Sequence, residues 1–399
     1  MLCACSSRPI GSAQDHLASG GERTRRVELE MDPLLIQAGS GETLSPMELF
    51  HEGVGGLQAQ EYGRCIERLG ALLRHFPEHR SALYARYNLG LCYELSGRYQ
   101  EAVEVFDDYV ETLRLPEHRG ADDQELDLLD GQFRLGFNLT KASQPERAIA
   151  LYERLLTTTP IIGFDRAECH LRRAIAQLLL GRFALADRDL SLAISHINGS
   201  IGAQREGNEL LAEVHFYRGE LYRRHMKHIK LKMPVKRMKR LFADKILFFR
   251  KSLYAYVDCL NVRQVYWGIA GGHQLGKLHE ELYEAILWAE TPADFDPETE
   301  AYYLFELEKK LAPLLKESIS LYEKTMTLSV THGLNNEWVT STQDGLSRLR
   351  DLEESVQRRL SLDPLAAHEQ RRPLDRLMGP PAPSPDAVSP QAETASARE

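Results

Sequence analysis

No stretch of this sequence approaches the roughly 18 consecutive apolar residues that a helix needs to span a bilayer. Cysteine is scarce and poorly spaced for metal. Cys3, Cys5, Cys65, Cys92, Cys169 and Cys259 include no C-x-x-C pair and no neighbouring histidine pattern, which argues against zinc. The last four fall at helical, core-like positions and read as packing residues. Catalytic signatures are missing as well. His279-Glu280-Glu281 has no second histidine at the HExxH spacing, and Gly271-Gly272 lacks the strand-then-helix setting and the lysine of a phosphate loop. His273 and His279 read as surface histidines. No serine or cysteine sits in a nucleophile motif, and Asp122-Asp123 and Glu353-Glu354 are adjacent acids that diverge on a helix. No cofactor or metal is implied. A net charge of −9 argues against a general nucleic-acid binder.

The apolar content of 43% is enough to build a core, and it is arranged as a repeat. One copy runs Asn88-Leu89-Gly90-Leu91-Cys92-Tyr93, then Gly97-Arg98-Tyr99, Ala102 and Phe106. A second has Leu135-Gly136-Phe137-Asn138-Leu139 with Ala148, Tyr152 and Pro160. A third reads Ala174-Ile175-Ala176-Gln177, Gly181-Arg182-Phe183, Ala186, Leu190 and Ala193. An earlier, weaker copy has Gly53, Tyr62, Cys65, Leu69 and Pro77. This pattern resembles the tetratricopeptide repeat, in which two antiparallel helices pack and stack on the next pair. The resemblance implies an all-α, right-handed α-solenoid that binds and does not catalyse. Small residues such as Gly90 and Gly136 would let paired helices approach, with Tyr93, Phe106 and Tyr152 filling the space between them.

Four segments are expected. Residues 1–43 form an N-terminal tether rich in Ser, Gly and charge, and 44–200 hold the repeats. Residues 201–361 continue the solenoid as a module of longer helices, and 362–399 form a disordered Pro/Ala/Ser-rich tail. A fifth repeat starts at Ala212 with Phe216, Gly219 and Tyr222, but a basic insertion at 223–251 displaces its second helix. Pro234 ends the preceding helix. After it, Met238, Leu241, Phe242, Ile246, Phe249, Leu253, Val257 and Leu260 mark the apolar stripe of one long amphipathic helix, with the basic residues mainly outward. Four glycines between Gly268 and Gly276 lie inside a helical pattern and point to close helix contacts.

The first helix of each pair lines the concave face in tetratricopeptide proteins. Carried over, that places Tyr84, Tyr87, Leu91, Phe133, Phe137, Leu171, Ile175 and Phe216 in a partner-binding groove. Tyr87, Leu91, Phe133 and Phe137 replace the Lys and Asn of carboxylate-gripping repeats, so the expected partner is an amphipathic helix or an extended apolar peptide. Lys236, Arg237, Lys239 and Arg240 offer a basic docking face for an acidic partner or anionic lipid, the alternative being a solvated helix face.

Leu2-Cys3-Ala4-Cys5-Ser6-Ser7 resembles the bacterial lipobox, which implies lipidation at Cys5 and a membrane attachment through that lipid alone. The charged start and apolar stretch that export requires do not precede it, so this reading needs a start codon further upstream. Gly333-Leu334-Asn335-Asn336-Glu337-Trp338 resembles the terminal module of myxobacterial-type tetratricopeptide envelope and gliding-motility lipoproteins. Cys65 to Pro77 resembles repeats of outer-membrane assembly lipoproteins. Together these imply an outer-membrane-anchored periplasmic scaffold. A cytoplasmic adaptor or regulator with an acidic partner is the alternative.

Overall fold

The computed structural model describes residues 35–36, 43–116, 124–201 and 207–377. Apart from a two-residue antiparallel pairing of Leu35–Ile36 with Thr43–Leu44, all regular structure among them is helical. The all-α class and the repeat-like succession of helix pairs are as expected. The chain divides between Arg182 and Phe183 into two compact units.

The N-terminal unit contains α1 (Pro46–Gln58), α2 (Tyr62–His75), α3 (Ala82–Leu95), α4 (Tyr99–Leu113), α5 (Gln124–Lys141), α6 (Pro145–Thr158) and α7 (Gly163–Leu179). Local chemistry fixes the helix starts. Ser45 and Glu48 form a reciprocal capping box at α1, and prolines open α1 and α6 where the missing N–H costs nothing. Short turns fold each helix back on its partner, α1 on α2, α3 on α4 and α5 on α6, and each pair packs on the next through α2–α3, α4–α5 and α6–α7.

One contact recurs in every pair. A Cβ on Gly53 would stand 2.5 Å from Leu69, and one on Gly90 would stand 2.7 Å from the Phe106 ring. Gly136 bears the same relation to Tyr152. The aromatic or leucine therefore lies directly on the backbone of the first helix. Four residues before it stands a small residue, Cys65, Ala102 or Ala148, each fully buried. Cys65 and Cys92 are disulfide-bonded, with Cα atoms 6.4 Å apart, and so join α2 to α3. This corrects their reading as free packing residues; Cys169 and Cys259 are free and buried, as expected.

The C-terminal unit contains α8 (Phe183–Ile201), α9 (Glu209–His228), α10 (Val235–Asn261), α11 (Val265–Leu287), α12 (Pro297–Thr331), α13 (Glu337–Leu360) and α14 (Pro364–Leu377). The expected boundary near residue 200 moves forward because α8 packs on α9. The displaced second helix of the fifth repeat arrives as α10. Gly219 meets Tyr256 as Gly90 meets Phe106, and a Cβ on Gly276 of α11 would stand 2.5 Å from the Tyr322 ring of α12. The small position four residues earlier is now serine. Ser252 donates to the Gly219 carbonyl at 2.9 Å and Ser318 to the Gly276 carbonyl at 2.7 Å. α9–α10 and α11–α12 are thus the same hairpin with longer helices. A Cβ on Gly272 would overlap Thr325, so Gly272 and Gly276 are the close-contact sites their pattern indicated, while Gly268 and Gly271 have room for ordinary van der Waals contact.

Three expectations about this unit change. The seam of α10 is Lys245, Ser252, Ala255, Tyr256 and Cys259, while Phe242 and Val257 of the anticipated stripe are exposed. The seam's small members, Ser252, Ala255 and Cys259, alternate with Tyr256, which lies on Gly219 of α9. Lys245 is not on the outer face; it is buried and donates from Nζ to the Met226 carbonyl in the last turn of α9 at 2.6 Å. Burial pushes its ammonium down to about 8. Residues 364–377, placed in the disordered tail, form α14, which buries Ala367 and Arg371 against the unit. Residues 378–399, with most of 1–42, lie outside the described residues.

Gly136→Ala forces a methyl into the Tyr152 ring and is expected to destabilise by about 1–3 kcal/mol. Gly55→Ala, in α1 with nothing within 4 Å among the described residues, should stabilise by up to about 1 kcal/mol. Urea denaturation of both variants checks this, and equal effects would show that close approach is not what Gly136 provides.

Candidate functional site

The structure sorts the expected groove residues into two groups. Leu171 and Tyr87 are buried in the N-terminal unit, and Phe216 is buried in the C-terminal unit. Tyr87 packs on Phe106 and Tyr109 with ring centroids 5.9 and 5.4 Å away, and its hydroxyl donates to Asp130 at 2.5 Å. Burial first, and the Asp130 charge beside it, push that hydroxyl far above its ordinary value. Phe216 sits within 5.1 Å of the Trp267 ring and 5.6 Å of Trp338. These three build the core and leave no side chain for a partner. Helical spacing places a residue on a stripe but does not say whether the next helix covers it.

What covers Tyr87 is α5. Beside the Tyr87–Asp130 bond, Arg134 donates to Glu94 at 2.7 Å and Asn138 donates to the same carboxylate at 2.8 Å. Glu94 and Asn138 are buried, so this polar lock fixes α3 against α5. Tyr84 stands outside it, 51% exposed. Leu91, Phe133, Phe137 and Ile175 are half-buried. Leu91 and Phe133 lean on the core, and Lys141 lies over the Phe137 ring at 5.7 Å. The available surface on α3, α5 and α7 is therefore Tyr84 with the outer edges of these four. Exposed apolar side chains that the repeat pattern did not signal include Ile162, 79% exposed, and Phe164, both where α7 begins.

Lys236, Arg237, Lys239 and Arg240 are all exposed at the start of α10. Along the same helix Phe242, Leu247, Tyr254 and Val257 are exposed, so the outward face mixes cations with apolar surface. Cys5 lies outside the described residues.

The interior of the C-terminal unit holds more charge than its sequence pattern revealed. Arg223 donates to Glu220 at 2.9 Å and to Glu281 at 2.6 Å, and the Tyr256 hydroxyl also donates to Glu220. Burial opposes ionisation of Glu220, but Arg223 and the hydrogen bonds hold its carboxyl below the usual range. Glu280 takes Lys277 and Arg348, and Glu308 takes Arg359 at 2.5 Å and Arg371 at 2.6 Å. His273 and His279 are not surface histidines. His279 is buried against Phe249 and bonded to the Leu275 carbonyl at 2.8 Å, while His273 lies between Tyr322 and Trp338 and contacts Thr342 at 3.0 Å. They serve packing at the α11 interfaces. Among the described residues, no three His, Cys, Asp or Glu side chains converge as metal ligands, and no helix is long and apolar enough to cross a membrane.

Residues 57–115, which span α2, α3 and α4, match the tetratricopeptide repeat family. No curated protein matches the chain. Among solved structures, a tetratricopeptide repeat protein from Parabacteroides merdae is 15% identical, with 76% of this chain and 98% of that chain covered at a TM-score of 0.35. The apo form of RapI is 12% identical over 84% of this chain and 100% of that chain, with a TM-score of 0.43. BtubC from P. vanneervenii is 13% identical over 72% and 93% of the respective chains, with a TM-score of 0.39. At such scores these likenesses carry no inference about function.

Burial, with Lys277 and Arg223 nearby, lowers the His273 pKa to about 4, against the pull of Glu280 and Glu220. The unfolded chain, with a histidine pKa near 6.5, takes up a proton that the folded state refuses. Stability from neutral His273 is therefore complete above about pH 6.5 and is lost as pH falls toward 4, at up to about 1.4 kcal/mol per pH unit. Denaturation of wild type and His273→Gln at pH 7 and pH 4.5 should show the smaller pH loss in the variant. Equal losses would show that His273 does not carry it.

Proposed function

We propose that this chain is a non-enzymatic tetratricopeptide-type scaffold that holds a protein or peptide partner on the α3, α5 and α7 face of its N-terminal unit. The observation that carries this reading is the arrangement of that face. Tyr84 and the edges of Leu91, Phe133 and Phe137 are held on α3 and α5, which Glu94, Arg134 and Asn138 lock together, and Ile175 stands beside them on α7. A rigid apolar surface with a polar rim suits an amphipathic helix or extended peptide, because little ordering entropy is lost on binding. The buried ion pairs of the C-terminal unit hold helices together, and none sets a nucleophile beside a base.

We further propose an oxidising, extracytoplasmic setting, that of a periplasmic lipoprotein anchored to the outer membrane within an envelope assembly or motility complex. The Cys65–Cys92 bond supports it, since structural disulfides persist in such compartments and are rare in the cytosol. The second reading, a cytoplasmic adaptor for an acidic partner, draws on the cations of α10.

Two experiments test these readings. Tyr84→Ser/Phe137→Ser should abolish co-purification of the native partner at a stability cost of about 1–3 kcal/mol, leaving a cooperative melt. Lys236, Arg237, Lys239 and Arg240 changed together to Gln should leave co-purification intact; the reverse pattern supports the adaptor. Mass spectrometry of unreduced protein from its native source should find Cys65 joined to Cys92, and reduction should lower stability by about 2–4 kcal/mol. Free thiols at both positions would remove the support for an oxidising compartment.

A further inference from the structure

Helix α10 packs on α9 and α11 through the seam that contains Lys245, Ser252, Tyr256 and Cys259. Its remaining surface carries Lys236, Arg237, Lys239, Arg240, Arg250 and Lys251, all exposed. None of the six has a carboxylate within ion-pair distance among the described residues. Lys251 lies over the Tyr222 and Phe248 rings, at 5.2 and 5.6 Å. The acids beside them are few. Asp244 and Asp258 are exposed on the same helix, and Glu290, next to its start, accepts from the Met233 N–H at 2.7 Å. Lys236 and Arg237 also stand in the first turn, which holds no acid and where the helix dipole disfavours cations. Like charges at this spacing repel, so the fold gains nothing from them.

The same surface is apolar as well. Leu247 and Tyr254 are 51% and 59% exposed, and Val235, Phe242 and Val257 are exposed with them. At 3.6 residues per turn, Lys236, Arg240, Ala243, Leu247, Arg250 and Tyr254 fall on one line along the helix. Cations and apolar groups therefore alternate on a single stripe. A partner helix needs a continuous apolar stripe to bury, and charge interrupts this one. Nucleic acid would meet the cations with phosphates but leave Leu247 and Val257 without an apolar contact. A bilayer surface supplies both partners at different depths. Its phosphates meet the long Lys and Arg side chains, while Leu247 and Tyr254 enter the boundary of the acyl chains. Tyrosine suits that level because its ring is apolar and its hydroxyl stays wet.

We propose that α10 docks along this stripe onto the surface of an anionic phospholipid bilayer, lying in the plane of the headgroups. Charge draws the helix in over about 8 Å at physiological salt, and the apolar side chains hold it there. This goes beyond the scaffold reading. It depends neither on the α3, α5 and α7 face nor on a lipid at Cys5.

The test is co-sedimentation of the full chain, produced without lipid modification, with vesicles of phosphatidylcholine alone or with one third phosphatidylglycerol. The mixed vesicles should bind at least about tenfold tighter, and the difference should shrink as salt rises. Changing Lys236, Arg237, Lys239 and Arg240 together to Gln should weaken that binding by about tenfold or more and flatten its salt dependence, with an unchanged melt. Leu247→Ser/Tyr254→Ser, at two exposed positions, should weaken it by about fivefold or more while the salt dependence stays. Soluble poly-glutamate stands in for an acidic protein and should bind far more weakly than the mixed vesicles. Equal binding to the two kinds of vesicle, undiminished binding by either variant, or poly-glutamate bound as tightly as the mixed vesicles would each overturn the proposal.

Discussion

An aromatic or leucine side chain lying on a glycine backbone sets the distance between helices in five helix pairs of this protein. Leu69 on Gly53, Phe106 on Gly90 and Tyr152 on Gly136 recur at one spacing in the N-terminal unit. Tyr256 on Gly219 and Tyr322 on Gly276 repeat the contact in the C-terminal unit, although their hairpins are much longer. Because the glycine removes the side chain that would hold the helices apart, the ring loses contact with water completely and packs at crystal-like density. Everything else depends on that separation. The buried Cys65, Ala102, Ala148, Ser252 and Ser318 all stand one turn before the large residue, where only a small side chain fits.

The two units use this spacing differently. In the N-terminal unit the interface between successive first helices is closed by a polar lock around Glu94 and by Tyr87, which leaves a thin apolar margin facing outward. In the C-terminal unit α9 and α11 are buried nearly all round, so charge that would ordinarily face solvent is enclosed. Glu220, Glu280 and Glu308 are each satisfied by arginine, at the geometry that makes such pairs tolerable inside a protein.

Much of the architecture was legible in the sequence because a repeat imposes its period on residue size. Glycine, small residue and aromatic at fixed offsets announce helix pairs without reference to a neighbour. Pro234 did the same for the break before α10. The long α10 was readable too, but its buried seam was not. Phe242 and Val257 have the hydrophobicity of core residues and stay exposed, while Lys245 and Ser252 are buried because the approach to α9 selects for small side chains and for a donor opposite the Met226 carbonyl.

The sequence alone determined the helical class, the pairing of consecutive helices and the close contacts at glycine, since these follow from local propensity and from residue volume. Only tertiary structure decided which faces remain available. Tyr84 and Tyr87 are three residues apart on α3, yet one meets solvent and the other meets Asp130 of α5. Cys65 and Cys92 read as small hydrophobes until α2 and α3 bring them together. The charges at the α11 end could be counted from the sequence, but their balance could not. Which carboxylate obtains an arginine depends on distances that form only when α12, α13 and α14 close around it.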